Sequence, residues 1–327
     1  MIYPSFLKQG QTIGVTAPSA GVGRGLDSYE ASIAVLQEEG YRIHETASVR
    51  VNDLRSADAA TRARELEECF ADPQNAMVMC AAGGDFLNEI LPEIRWRQLT
   101  SHPKWCLGAS DPTGILYPLT VSHDIATLYG MNAGSFDCGT GFAFIRDSLD
   151  LLKGRKIVQH SSDWCNTRPS WEQDSLELDT PSRWEASRPH LRVSGRAVGG
   201  CVDVLKDLIG TPYDRTRAFV RAYAEDGFIW FLDDFSMSAE NLYRTLCQMR
   251  SAGWLDHARA VVLGRVLFES SETGMTYAEA LQRALPDVPT VWNADIGHTS
   301  PAMTLILGSV AHLNCRDGKA SLRFTLD

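Results

Sequence analysis

The sequence predicts an α/β protein of two domains, and three features carry that prediction. Apolar runs of strand length alternate with helical stripes through the first 150 residues. A polar stretch then breaks the rhythm, and a second alternation runs to the end of the chain. The length of 327 residues also exceeds what one ordinary core encloses. An N-terminal domain with a mostly parallel sheet flanked by helices is expected over residues 1–153. A smaller α/β domain follows over 192–327, with 154–191 as an interdomain segment and a cleft between the domains as the place for a site.

Each element has a local reason. Residues 12–17 (TIGVTA) are β-branched and apolar, and end in the turn PSAG. A helix is expected over 26–39, with Asp27 and Ser28 available to cap its start and Gly40 to end it. The continuous run 76–82 (AMVMCAA) suits a strand covered on both faces. Gly83-Gly84 breaks it, and FLNEILPEI carries helical spacing. Residues 104–109 (KWCLGA) form a further strand, broken at Ser110-Asp111-Pro112. Phe142, Ile145, Leu149 and Leu152 make a helical stripe.

The second unit opens with VSGRAVGG from Val193, followed by the helical CVDVLKDLIG. Residues 227–233 (GFIWFLD) read as a buried strand and 239–249 as a helix through Leu242, Leu246 and Met249. Strands are expected at 260–264 and 290–293, and TLILGSVAHL closes the unit. The intervening residues 154–190 are rich in Ser, Asp, Arg and Pro. They nevertheless hold Trp164, Trp171 and Trp184, three of the eight tryptophans. Indoles argue against plain disorder; they suit either a substrate surface or a domain seam.

Bulk properties exclude several functions. The 31 basic and 41 acidic side chains give a net charge of −10, which speaks against a nucleic-acid partner. The eight cysteines form no C-x-x-C pair, and several lie inside apolar runs, as reduced buried thiols in the cytoplasm do. They offer no clustered set for a metal. No signal peptide is visible in MIYPSFLKQGQTIGVTAPSAG, and no apolar run approaches the ~20 residues that span a bilayer.

The candidate chemistry lies in turns. Gly108-Ala109-Ser110-Asp111-Pro112 sets a serine between a strand end and a helix start, where open parallel sheets bind ligands. Backbone N–H groups there can hold an oxyanion. The same serine also reads as a helix N-cap, with Pro112 near the first helical position. The usual G-x-S-x-G elbow is absent. In Ala82-Gly83-Gly84-Asp85, adjacent glycines let backbone approach a ligand, or simply make a tight turn. Of the eight histidines, His298 sits in a loop of small residues, DIGHTSP, from which an imidazole can project. Asp233 and Asp234 end the strand FIWFLDD; adjacent strand residues point to opposite faces, so at most one can orient that imidazole, with Asp233 the first choice.

Taken in order, LKQGQTIGVTAPSAG, AAGGDFLNEILPEI, LGASD, GRAVGGCVDVLKDLIGTPY, FIWFLDDFSMSAENLYRTLCQMRSAGWLDHARAVVLGR and DIGHTSPAMTLILGSVAHL resemble the LD-carboxypeptidase family of serine peptidases. The similarity is greatest to its microcin C7 self-immunity branch. The resemblance implies Ser110 as nucleophile, His298 as base and Asp233 as acid, in a place where the family carries Glu. It implies an oxyanion hole from the N–H groups of Gly84 and Asp111, substrate contacts at Gly83, Asp85 and Trp184, and no metal or organic cofactor. It also implies a homodimer acting on a small peptidyl or aminoacyl nucleotide by amide cleavage. Trimming the terminal D-alanine of murein tetrapeptides is the rival reaction, and a non-catalytic small-molecule binder the alternative of a different class. Ala82 stands where the carboxypeptidase branch has Arg, and Pro112 is unusual after the Ser-Asp pair.

Overall fold

The computed structural model describes residues 1–169 and 175–326 and forms two compact units, Met1–Arg155 and Lys156–Asp327. The boundary between the units falls at the start of the expected interdomain segment 154–191.

In the first unit β1 (Thr12–Thr16), β2 (Arg42–Glu45), β3 (Asn75–Cys80), β4 (Trp105–Gly108) and β5 (Thr127–Tyr129) pair in parallel, in the order β5-β4-β3-β1-β2. Every residue of β1, β4 and β5 is buried, which is why these strands read as unbroken apolar runs. The edge strand β2, Arg-Ile-His-Glu, alternates between exposed and half-buried and gives no such signal.

The helices are α1 (Leu26–Glu38), α2 (Ala59–Ala71), α3 (Trp96–Thr100), α4 (Thr113–His123) and α5 (Ala143–Leu152). Gly25 precedes α1 without a side-chain cap, so Asp27 lies in the first turn, where its charge suits the helix dipole. FLNEILPEI does not make a full helix. Only Leu87–Ile90 is helical, as a 3-10 segment with Leu87 and Ile90 buried, and residues 91–93 follow it as a turn.

In the second unit β10 (His190–Cys201), β11 (Phe228–Asp233), β12 (Ala258–Gly264) and β13 (Thr290–Ala294) form a parallel centre. On one flank β15 (Val310–Arg316), β16 (Lys319–Thr325) and β6 (Gln159–His160) add antiparallel, and on the other β9 (Glu185–Ala186) does the same. The remaining strands are the pair β7 (Trp164–Cys165) with β8 (Thr180–Pro181), and β14 (Leu305–Leu307). The tryptophan-bearing segment thus supplies both outermost strands of this sheet. A Cβ on Gly199 (φ +143°) would stand 1.8 Å from the Phe231 carbonyl oxygen, so the glycines of GRAVGG allow β10 to lie against β11. Helices α6 (Val202–Leu208), α7 (Thr216–Ala222), α8 (Ala239–Ser251) and α9 (Tyr277–Ala284) complete the unit.

Arg62 on α2 ties the first unit together. It is fully buried and donates to the carbonyls of Pro18 (3.1 Å) and Phe86 (3.0 Å) and to Glu89 (2.6 Å). These partners lie beyond the carboxyl ends of β1 and β3. Replacing Arg62 by Met takes the side-chain donor from the Pro18 and Phe86 carbonyls and leaves Glu89 to Arg55 alone, and is expected to destabilise the unit by about 3 kcal/mol. A lowered urea midpoint with far-UV circular dichroism as readout checks this.

Candidate active site

Three turns meet at the carboxyl edge of the first sheet. They follow β1 (Pro18-Ser19), β3 (Gly83-Gly84) and β4 (Ala109-Ser110). Ser110 has φ +67°, a left-handed conformation uncommon in a residue with a side chain. Helix α4 starts only at Thr113, behind Pro112, with no side-chain cap, so Ser110 is not the cap that its sequence position allowed. Its strained backbone is held on every side. Ser110 N–H donates to Tyr129 Oη (3.2 Å), and the Ser110 carbonyl accepts Thr113 N–H (2.9 Å). Asn132 brackets Ala109, accepting its N–H at 3.0 Å and donating to its carbonyl at 3.3 Å.

The glycine pair fits against this elbow. A Cβ on Gly83 would lie 3.1 Å from Ser110 Cβ and 3.3 Å from its Oγ. On Gly84 (φ +142°) it would fall 2.3 Å from Ser19 Oγ. Among the described residues neither the Gly84 nor the Asp111 N–H has a hydrogen-bond partner. The Asp111 carboxyl, 6% exposed, turns inward and accepts from Ser19 Oγ and from Leu87 N–H (2.9 Å). Burial pushes its pKa up, and the hydrogen bonds from Ser19 and Leu87 pull partly back. Asp111 is therefore a tie between the three turns through its side chain and a donor through its backbone. Asp85 is exposed at the mouth of the glycine turn.

In the second unit Asp233 ends β11, completely buried, and its Oδ1 lies 3.0 Å from His298 Nδ1. The sequence left Asp233 and Asp234 open; the fold sends only Asp233 to the imidazole. Asp234 faces the other way, accepts Met237 N–H at 2.9 Å, and keeps a second buried oxygen with no partner among the described residues. Burial first, then the charges of Asp203 and Asp233, push Asp234 up to about 8, against the pull of that Met237 bond. It is thus mostly protonated at neutral pH. For His298, burial acts to lower the pKa, but the charge and hydrogen bond of Asp233, aided by Asp203, outweigh it and hold the imidazole above 6.5. With the Nδ1 proton directed at Asp233, Nε2 is left as the basic nitrogen.

Two neighbours were not legible as site residues. Gly297 has φ +98°, and a Cβ there would stand 1.9 Å from Asp233 Oδ1, so only glycine lets the loop bring His298 this close. Phe235 packs its ring on the imidazole, centroids 4.6 Å apart. The G-H dipeptide and the strand-end FLDDF were the available signals. Trp184 departs from expectation. It is 1% exposed, which leaves no open face for a base to stack on, whereas Trp164 is 51% exposed; Trp171 lies outside the described residues.

Ser110, Gly83, Gly84, Asp85 and Asp111 thus belong to one unit, and Asp233, His298 and Trp184 to the other. Among the described residues no group of three or more His, Cys, Asp or Glu is placed to hold a metal, and no helix is long and apolar enough to cross a membrane.

The chain is similar in sequence and fold to several known proteins. A carboxypeptidase-named protein of Vibrio cholerae is 27% identical over 321 residues, covering 94% of this chain and 93% of that one. The microcin C7 self-immunity protein of Escherichia coli is 23% identical over 318 residues, covering 92% and 90%. A solved structure of a microcin C7 self-immunity protein in complex with aspartyl sulfamoyl adenosine has the same fold, at TM-score 0.85 and 22% identity, covering 100% and 99%. The muramoyltetrapeptide carboxypeptidase of Oxalobacter formigenes shares the fold at TM-score 0.76 and 22% identity, covering 97% and 99%. Family models for the LD-carboxypeptidase N-terminal domain and the LD-carboxypeptidase C-terminal domain match residues 13–130 and 194–313, and the chain belongs to the LD-carboxypeptidase family of serine peptidases.

Proposed function

We propose that this chain is a serine amidohydrolase in which Ser110, His298 and Asp233 work as a triad on an aminoacyl or peptidyl nucleotide. The observation that carries the reading is the His298–Asp233 bond of 3.0 Å, made by a fully buried carboxylate to a loop imidazole. The strained Ser110 supports it, because nucleophile elbows present a side chain in this way.

His298 Nε2 takes the Ser110 Oγ proton as Oγ bonds to the amide carbon, and the carbonyl π electrons move to its oxygen. The N–H groups of Gly84 and Asp111 hold that oxyanion, at roughly 3 kcal/mol per donor. Collapse breaks the C–N bond, and the imidazolium gives its proton to the leaving nitrogen. Water, deprotonated by the same imidazole, then cleaves the ester and returns the proton to Ser110. Gly83 and Asp85 border the place where the acyl group would lie. This mechanism requires the nucleophile of the first unit and the pair of the second to act on one carbonyl.

Two supports favour the nucleotide substrate. One is the similarity to the self-immunity protein, whose solved complex holds an aminoacyl sulfamoyl nucleoside. The other is Trp164 of the tryptophan-bearing segment, whose exposed indole can stack on a nucleobase. Cleavage of murein tetrapeptide is the second reading, favoured by the family description and by the shared fold of the Oxalobacter enzyme. A homodimer in the cytoplasm belongs to the same proposal; the eight cysteines, all free thiols, are consistent with a reducing compartment.

Product analysis with both substrates separates the two enzyme readings. Release of aminoacid from a nucleotide conjugate is expected, and efficient cutting of tetrapeptide alone would reverse the choice. A fluorophosphonate probe should modify Ser110; an unmodified, folded protein would make the chain a binder. Replacing Asp233 with Asn should lower kcat by about 10⁴-fold through the wrong imidazole tautomer. In the wild type kcat/KM should fall with acid through a pKa above 6.5, because protonated His298 cannot accept the serine proton. In Asp233→Asn that inflection should move lower, since burial remains while the attraction is gone.

A further inference from the structure

The structure assigns to Arg265 a positioning role: its guanidinium fixes the loop that carries His298 from both sides of the histidine. Arg265 follows β12 and is 6% exposed. Before His298, Nη1 reaches Asp295 Oδ1 and approaches the Asn293 carbonyl at 3.4 Å. After it, Nε donates to Thr299 Oγ1 at 3.1 Å and Nη2 to the Pro301 carbonyl at 2.9 Å. Arg265 N–H also donates to the Ala294 carbonyl at 3.0 Å. One side chain therefore clamps residues 293–301, and His298 rides on the arch between its anchors.

The clamp reaches further. Nη1 also donates to Ser182 Oγ at 3.0 Å, and Asp295 Oδ2 accepts Ser162 N–H at 2.8 Å. The tryptophan-bearing segment is thereby held to the histidine loop through the same buried ion pair, in which Asp295 is 1% exposed. No other side chain does this job as well. Only a planar fork with five N–H donors in fixed directions serves a carboxylate, two hydroxyls and two carbonyls together; a lysine has three donors at one point. The arrangement matters because the His298 Nδ1–Asp233 distance depends on where the loop sits, and a misplacement near 1 Å costs on the order of 100-fold in rate. The charged groups that act on the imidazole itself are Asp233 at the end of β11 and Asp203 on α6.

The inference rests on the triad reading only for its kinetic arm. The experiment compares wild type, Arg265→Lys and Thr299→Val, each confirmed folded by circular dichroism. Two quantities are read: the His298 pKa by NMR of histidine-labelled protein, and the rate of Ser110 modification by a fluorophosphonate. In Arg265→Lys the imidazole pKa should drop and modification should slow by about 10- to 100-fold. Thr299→Val, which removes one anchor, should move both in the same direction by less. If wild type itself is not modified, the hydrolase reading fails while the pKa arm still tests the clamp. A folded Arg265→Lys with unchanged pKa and unchanged modification rate overturns the inference. Should Arg265→Lys not fold, an unmoved His298 pKa in Thr299→Val overturns it.

Discussion

A carboxylate buried without solvent is costly unless something compensates it, and Asp233 has zero exposure at the end of a core strand. Its compensation is His298, and the second unit is arranged so that this contact can form. Gly297 lacks the Cβ that would collide with Asp233, and Phe235 packs on the imidazole face. The pairing raises the basicity of the imidazole against the depressing effect of its burial. Removing the aspartate alone would leave a poorly solvated ring with the wrong proton placement; removing the histidine would take one partner from a fully buried carboxylate. The contact therefore constrains both the chemistry and the packing around it.

The same solution appears in each unit. A parallel strand ends in a turn, and an inward carboxyl ties that turn to its neighbours. In the first unit Ser110 adopts the left-handed region and Asp111 bonds back to Ser19 and Leu87. In the second Asp233 meets His298, while Asp234 folds inward onto Met237.

Much of this was readable from residues. Runs such as TIGVTA, AMVMCAA and FIWFLD became buried central strands because a strand covered on both faces has no reason to alternate. Ser110 and His298 were legible because each sits in a turn of small residues after such a run. Edge strand β2 was not, since half its residues face solvent and its composition is charged. The choice between Asp233 and Asp234 needed the register and twist of β11. The clamp by Arg265 was illegible because its anchors come from Ser182, Asp295, Thr299 and Pro301, brought together only by the sheet. The burial of Trp184 was not legible because an indole's exposure depends on the strands around it; its neighbours Glu185 and Ala186 pair with β13.

Proton NMR of the wild-type protein and of Asp233→Asn tests the buried pair most directly. A histidine Nδ1–H donating to a carboxylate gives a far-downfield resonance, which should be present in wild type and lost in the variant while the remaining spectrum stays dispersed. A far-downfield signal that survives Asp233→Asn, or none in the folded wild type, would contradict the pairing on which the account stands.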